Sequence, residues 1–303
     1  TQEGVRQKEY DRFGPWVTEI SDEDPVPPLF VPYLENQDKV VFSFKIPRSI
    51  ERRQASPGMD LYDYLVSVYE DQLVILKRDG KNVSTQRCSY HEIQMIHFIE
   101  DLLDGRVRLV LPGGIVELPF NSVSSDALKK LVAQIRKRYG AESAKSTATP
   151  VDTPPTRGLS FYFQNYQKTF AHEFPQFVLC ASQAETRISH AETRSLRRLF
   201  FGIIGRSITE SLHFSDGREL IVVHHGRKYR HFRRPLYAQH TTYLPVERVT
   251  GVNWEDDPDN TAIVHLTVAT EKGKFASAFA KHNPSRDSYS VYLSKLLRPE
   301  AAS

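Results

Sequence analysis

The stretch Gly105–Gly140, GRVRLVLPGGIVELPFNSVSSDALKKLVAQIRKRYG, decides how the rest of the chain is read. Arg106, Arg108 and Val110 alternate with Val107, Leu109 and Leu111. Pro112-Gly113-Gly114 supplies a turn and Ile115 to Phe120 returns, so the segment predicts a half-buried β-hairpin. Leu128, Leu131, Val132, Ile135 and Tyr139 then fall at i, i+3, i+4, i+7 and i+11, the spacing of one apolar helix face. Ser124 or Ser125 is placed to cap that helix and Gly140 to stop it. The same order returns near the end of the chain: Thr261 to Thr267 and Lys274 to Phe279 read as a hairpin, and Pro284 opens a helix carrying Tyr289, Tyr292, Leu293 and Leu296.

Working outward from these units, the first half reads as nearly continuous strands: Lys39–Ile46, Leu61–Tyr69, Leu73–Arg78, Val83–Tyr90, Ile93–Ile99 and the hairpin, seven in all, closed by the helix. Residues 141–158 are rich in Ser, Thr, Ala and Pro and lack an apolar period, which marks a linker. An aromatic entry segment, Leu159–Phe170, leads to strands at Phe174–Ser182, Ser207–Phe214, Arg218–His225, His240–Leu244 and Arg248–Trp254. Asp216-Gly217 is a hairpin signal that predicts Ser215 opposite Arg218, Leu212 opposite Ile221 and Glu210 opposite Val223, with Ile208, Leu212, Ile221 and Val223 on one side. Leu73 answers to Leu220, Ile93 to Val249 and Leu128 to Tyr289, an offset that grows only at loops, as in a diverged internal duplication. The organisation expected is an extended N-terminal arm over residues 1–36, with Trp16, Leu29, Phe30 and Tyr33 packing it as a strap, a first domain over 37–140, the linker, and a second domain over 159–303.

A chain of 303 residues with 40% hydrophobic and 25% charged residues is long enough for two packed cores and has the balance of a folded globular protein. No apolar run is long enough to span a bilayer, and Glu3, Arg6, Lys8 and Glu9 stand where a signal peptide needs an apolar core, so a cytoplasmic location is expected. Cys88 and Cys180 have no nearby zinc-ligand partners and are expected to be reduced and structural.

The element count, with SDGRELIVVHHG (Ser215–Gly226) leading to YLPVERVTGVNWEDD (Tyr243–Asp257), resembles the bacterial pleckstrin-homology-like domains. The first half is similar in SVYEDQLVILKRDG (Ser67–Gly80) and SYHEIQMIHFIEDLLDGRVRLVLPGGIVELPF (Ser89–Phe120). The resemblance covers about residues 38–140 and 172–298. It implies, in each half, a mainly β orthogonal sandwich or barrel of about seven antiparallel strands plus a C-terminal helix that plugs one end with Leu131, Val132 and Ile135, or with Tyr292, Leu293 and Leu296. In that family the loop between the first two strands holds a phosphoinositide headgroup with basic residues. By position this implies Lys45, Arg48, Arg52 and Arg53 in the first half and Arg187, Arg194, Arg197 and Arg198 in the second, although neither loop carries the family's spaced Lys-then-Arg-x-Arg pattern.

Two segments stand out as candidate surfaces. In RSLRRLFFGIIGR, Leu199, Phe200, Phe201, Ile203 and Ile204 form an apolar run bracketed by Arg194, Arg197, Arg198 and Arg206, a combination suited to a structural lid, a protein contact or an anionic membrane surface. The run Arg227, Lys228, Arg230, Arg233 and Arg234, interleaved with Tyr229 and Phe232, could follow a phosphate backbone, but a net charge of +3 speaks against a continuous nucleic-acid face. His213 and His224 fall on one strand face near Ser211, while a metal would need a third ligand, so no metal or cofactor is expected. No nucleophile, phosphate-loop, zinc-protease or dinucleotide motif is present, and Gly113-Gly114 is explained as a turn. The function expected is therefore a non-catalytic binding or scaffolding module acting through a protein partner or self-association. Peripheral attachment to an anionic membrane through 194–206 is the alternative, and nucleic-acid binding through 227–234 ranks third.

Overall fold

The computed structural model describes residues 2–34, 37–139, 156–188, 206–225, 229–231 and 238–297. Helix α1 (Gln2–Arg12) precedes β1 (Thr18–Glu19), β2 (Val40–Pro47), β3 (Tyr62–Tyr69), β4 (Gln72–Asp79) and β5 (Asn82–Ser89), which form one antiparallel sheet in that order. Next come β6 (Met95–Asp101), β7 (Asp104–Leu111), β8 (Gly114–Asn121) and helix α2 (Asp126–Tyr139). After α3 (Phe161–Glu173) run β9 (Val178–Gln183), β10 (Thr186–Arg187), β11 (Arg206–Ile208), β12 (Ser211–Ser215), β13 (Glu219–His225), β14 (Tyr229–His231) and β15 (Gln239–Pro245). The chain continues through β16 (Val249–Asp256), β17 (Ile263–Thr270) and β18 (Lys274–Ala280) to helix α4 (Arg286–Leu297). The fold is mainly β, a set of packed antiparallel sheets in a sandwich-like arrangement, and no closed barrel forms among the described residues.

The hairpin and helix read from Gly105–Gly140 are present. Leu111 pairs with Gly114 across a two-residue turn, and Gly105 faces Phe120 so closely that a Cβ there would stand 2.4 Å from the ring. Leu128, Leu131, Val132, Ile135 and Tyr139 are buried in one cluster with Val66, Leu73, Ile96, Leu109 and Leu118, so the helix face read from the sequence is the face that packs. Around α4, Tyr289, Tyr292, Leu293 and Leu296 are buried against Leu220, Val222, Leu266 and Phe279.

The feature that organises the molecule is a seven-stranded sheet in the order β8-β7-β6-β15-β13-β12-β9. Its central step pairs β6 with β15, Gln239 opposite Glu100 through Tyr243 opposite Ile96, so strands from the two halves share one hydrogen-bonded ladder. The turn between β17 and β18 leans on the same seam, where a Cβ on Gly273 would lie 3.0 Å from Val110 and 3.8 Å from Met95. A buried ion pair adds to the join. Arg136 of α2 donates to Glu219 of β13 from Nε (3.0 and 3.1 Å) and Nη2 (2.7 Å), and Tyr139 donates to the same carboxylate.

Four local expectations change. The N-terminal arm is not wholly extended but opens with α1, and Phe13 and Phe30 are buried whereas Trp16 is exposed. The entry segment after the linker is a helix, with Ser160 accepting from Phe163 N. Ser207–Phe214 is split between two sheets because the chain steps from β11 to β12 at Thr209-Glu210, where the Glu210 carboxylate accepts from Ser160 N. The β12–β13 register is displaced by two residues: Ser215 pairs with Leu220 and Leu212 with Val223. Asp216 Oδ1 accepts from both Arg218 N and Glu219 N (2.9 Å each), which holds 216–219 in a wider loop than a two-residue turn. A shift of two keeps each side chain on its face, so Leu212, Ile221 and Val223 still share the apolar side.

Candidate functional site

The alternation of strand side chains puts one stripe rich in polar groups on a single face of the seven-stranded sheet, the face opposite Val107 and Leu109. Cross-strand pairing lines up Arg108, His97, Thr242, Val222 and His213 in one row. The neighbouring row on the same face is Arg106, Ile99, His240, His224 and Ser211. His213 and His224 therefore share a face beside Ser211, as the alternation requires, and the β6–β15 seam adds His97 and His240 to them.

These histidines divide into sealed and open. His213 is fully enclosed, its Nε2 3.2 Å from Ser211 Oγ and its Nδ1 3.2 Å from Tyr289 OH, with Phe275, Phe279 and Tyr289 around the ring. Burial pushes its pKa down to about 3. His224 donates from Nδ1 to the His225 carbonyl (2.6 Å), leaving Nε2 as the acceptor that faces Thr242 Oγ1 at 3.5 Å, and burial holds it at about 3. His97 Nδ1 lies 3.0 Å from the same hydroxyl. Burial lowers His97 to about 4, with His240 and Arg108 adding to the effect, and burial with Arg108 lowers His240 likewise to about 4. All four rings are thus neutral at pH 7.

His97, His224 and His240 line a cleft of about 310 Å³ at the seam, and Lys274 to Ala278 of β18 complete the lining on the other side. Arg108 contributes from the first half, and Thr209, Ser211 and His225 from the second. None of the lining residues is acidic. Arg108 itself is paired with Glu117, whereas Lys274 has no ion-pair partner among the described residues. No group of three His, Cys, Asp or Glu residues among the described residues is arranged to hold a metal ion.

No protein-family model matches the sequence, and no curated protein matches it. Ten chains of solved structures do match. One is a DUF1696-family protein with a pleckstrin-homology domain from Shewanella loihica PV-4, 12% identical, aligned over 42% of this chain and 99% of that chain with a TM-score of 0.29.

The basic residues expected in the first β2–β3 loop are already engaged. Lys45 is buried, donates to the Pro25 carbonyl (3.0 Å), lies 3.7 Å from Glu9 and 4.0 Å from Asp24, and sits over the Tyr62 ring. Burial drives its pKa down and that of Glu9 up to about 7. Arg52 donates to the carbonyls of Tyr10 and Phe13, and Arg48 to that of Asp60. Arg53 pairs with Glu51. Three of these four side chains thus tie the arm or the loop itself in place.

Of the surface segment, Arg194, Arg197, Arg198, Leu199, Phe200, Phe201, Ile203 and Ile204 lie outside the described residues, as do Arg227, Lys228, Arg233 and Arg234 of the second run. Their flanks meet in the small sheet β10-β11-β14, where Arg206 pairs with His231, and Ser207 stands between Arg187 and Arg230. Two segments read separately from the sequence therefore leave from adjacent strands. Ile208 anchors that sheet on Ile263 and Ala278. Among the described residues no helix is long and apolar enough to cross a membrane.

Proposed function

We propose that the chain is a non-catalytic binding or scaffolding module made of two pleckstrin-homology-like domains, residues 37–140 and 159–303, that acts through protein–protein contact. The observation that carries this reading is the repeated order of elements about the seam: four antiparallel strands, three antiparallel strands, then a helix, once in β2–β8 with α2, and again in β9, β12, β13, β15–β18 with α4. The β6–β15 ladder supports a scaffold in particular, because it fixes the two units at one angle and lets surfaces from both face a partner together. The non-catalytic reading is supported by how the ionisable groups are used: Glu219 is bonded to Arg136 and Tyr139, His265 meets Asp257 at 2.7 Å, and His213 is enclosed. The contact surface proposed is Arg194–Arg206, with the basic run 227–234 as the secondary candidate.

The peripheral-membrane alternative draws on the same place, since β11 and β14 bring the flanks of both basic segments together. The test is sedimentation of the full chain alone and with neutral or anionic vesicles, compared with Phe200→Asp/Ile203→Asp. Self-association or partner binding that the variant loses, without loss of melting temperature, supports the protein reading. Salt-sensitive binding to anionic vesicles supports the membrane reading. A melting loss without any change in association refutes both and leaves the segment as a lid.

A further inference from the structure

We propose that the cleft at the seam is a binding site for a small organic anion, which enters together with a proton on the histidine stripe. This proposal is independent of which partner the module holds. Its place is set by the β6–β15 pairing, because His97 and Arg108 belong to the first half and His240, Ser211 and Lys274 to the second. About 310 Å³ is the lower end of the size of small-molecule pockets, enough for one ring bearing an acid group.

The lining selects charge. Its walls carry cations, imidazoles and hydroxyls, and no acidic residue is among them. Phe275 and Ile99 give an apolar patch for the ligand's body. Two polar groups are open toward it: among the described residues neither His97 Nε2 nor the His240 ring makes a hydrogen bond, and neither is sealed from solvent.

The charges facing these rings come from every neighbouring strand. On β7 Arg106 and Arg108 are balanced by Glu117 of β8 and by Asp104, on β6 Asp101 acts on His240, and on β13 His225 stands 4.0 Å from Glu210. Lys274 of β18 remains without an ion partner among the described residues. One uncompensated cation matches one negative charge. Burial and Arg108 disfavour the charged forms of His97 and His240, and an anion between them and the cations offsets that penalty. Binding and protonation are then linked, so the affinity rises as pH falls, by up to about tenfold per unit for one proton taken up.

The probe is benzenesulfonate, whose charge is constant across the range, followed on the full chain by histidine ring resonances and calorimetry from pH 7.5 to 5.5. The neutral benzenesulfonamide is the comparison, and phenyl phosphate distinguishes a phosphoryl preference from general anion binding. We expect benzenesulfonate to shift His97 and His240, to bind with proton uptake, and to weaken about tenfold in Lys274→Gln, one unit of log affinity for one charge contact. His240→Gln should flatten the pH dependence. Lys274 is exposed, so its variant keeps the fold, and the wild-type resonances serve where a histidine variant unfolds. No binding at any of these pH values, equal binding of the sulfonamide, or affinity unchanged in Lys274→Gln would overturn the proposal.

Discussion

Removing the carboxylate of Glu219 tests how firmly the two halves are joined. The side chain is 8% exposed and Arg136 17%, so both charges have left water and each depends on the other. Burial disfavours the guanidinium charge, yet Glu219 more than offsets it, and Arg136 is held above its ordinary pKa. The ring of Tyr243 stacks 4.6 Å from the guanidinium, with Phe174 and Phe177 on its flanks, so little of the arginine is left to water. In Glu219→Leu the arginine is stranded, and breaking a buried pair in this way costs about 3 to 5 kcal/mol. At about 2 to 4 °C per kcal/mol for a large domain that is a fall of roughly 6 to 20 °C in Tm. Replacing both partners, Arg136→Met with Glu219→Leu, should recover most of the loss, because the desolvation of two ions disappears with their attraction. Calorimetry and urea unfolding of the four proteins give the cycle. A single variant within about 1 kcal/mol of the wild type, the range of an exposed pair, would refute a coupled buried pair at this seam.

Three further outcomes follow from the core and the histidine stripe. Leu131→Ala, at a site with no exposure, should cost about 2 to 5 kcal/mol in urea unfolding, and a smaller loss would show that the helix face is not sealed. Gly105→Ala places a methyl 2.4 Å from the Phe120 ring and should cost about 1 to 3 kcal/mol, whereas Gly113→Ala, with open space around it, should cost less than Gly105→Ala on the same assay. The imidazoles of His97 and His240 are lowered in the folded chain from 6.5 to about 4, so the unfolded chain binds more protons between these values. Their stabilising contribution is present above pH 6.5 and is lost as pH falls toward about 4, at up to about 1.4 kcal/mol per unit for each group. His240→Gln should reduce that slope in stability measured from pH 7 to 5, and an unchanged slope would remove His240 from the account.

What the sequence reveals about this fold is local, and what it conceals is the seam. The strands and α2 were legible because period-two and helical spacing report a single buried face, and Leu131 and Val132 pack where that spacing puts them. The register of β12 and β13 departs from the one the Asp-Gly pair predicts because the Asp216 carboxylate accepts from two backbone donors, which the pair does not announce. The face assignment survived only because the displacement was even. The histidines of the second half were visible as a group, and His213 and His224 could be placed on one face. His97 could not be added to them, since its neighbour Thr242 is 145 residues away and strand pairing over that distance leaves no periodic trace. A weak signal did exist in β6, where His97 interrupts the apolar run Met95–Ile99. A polar ring in such a run needs a polar neighbour. The chain meets that need by supplying Thr242 from the other half, so the cleft exists only once both halves have folded and paired.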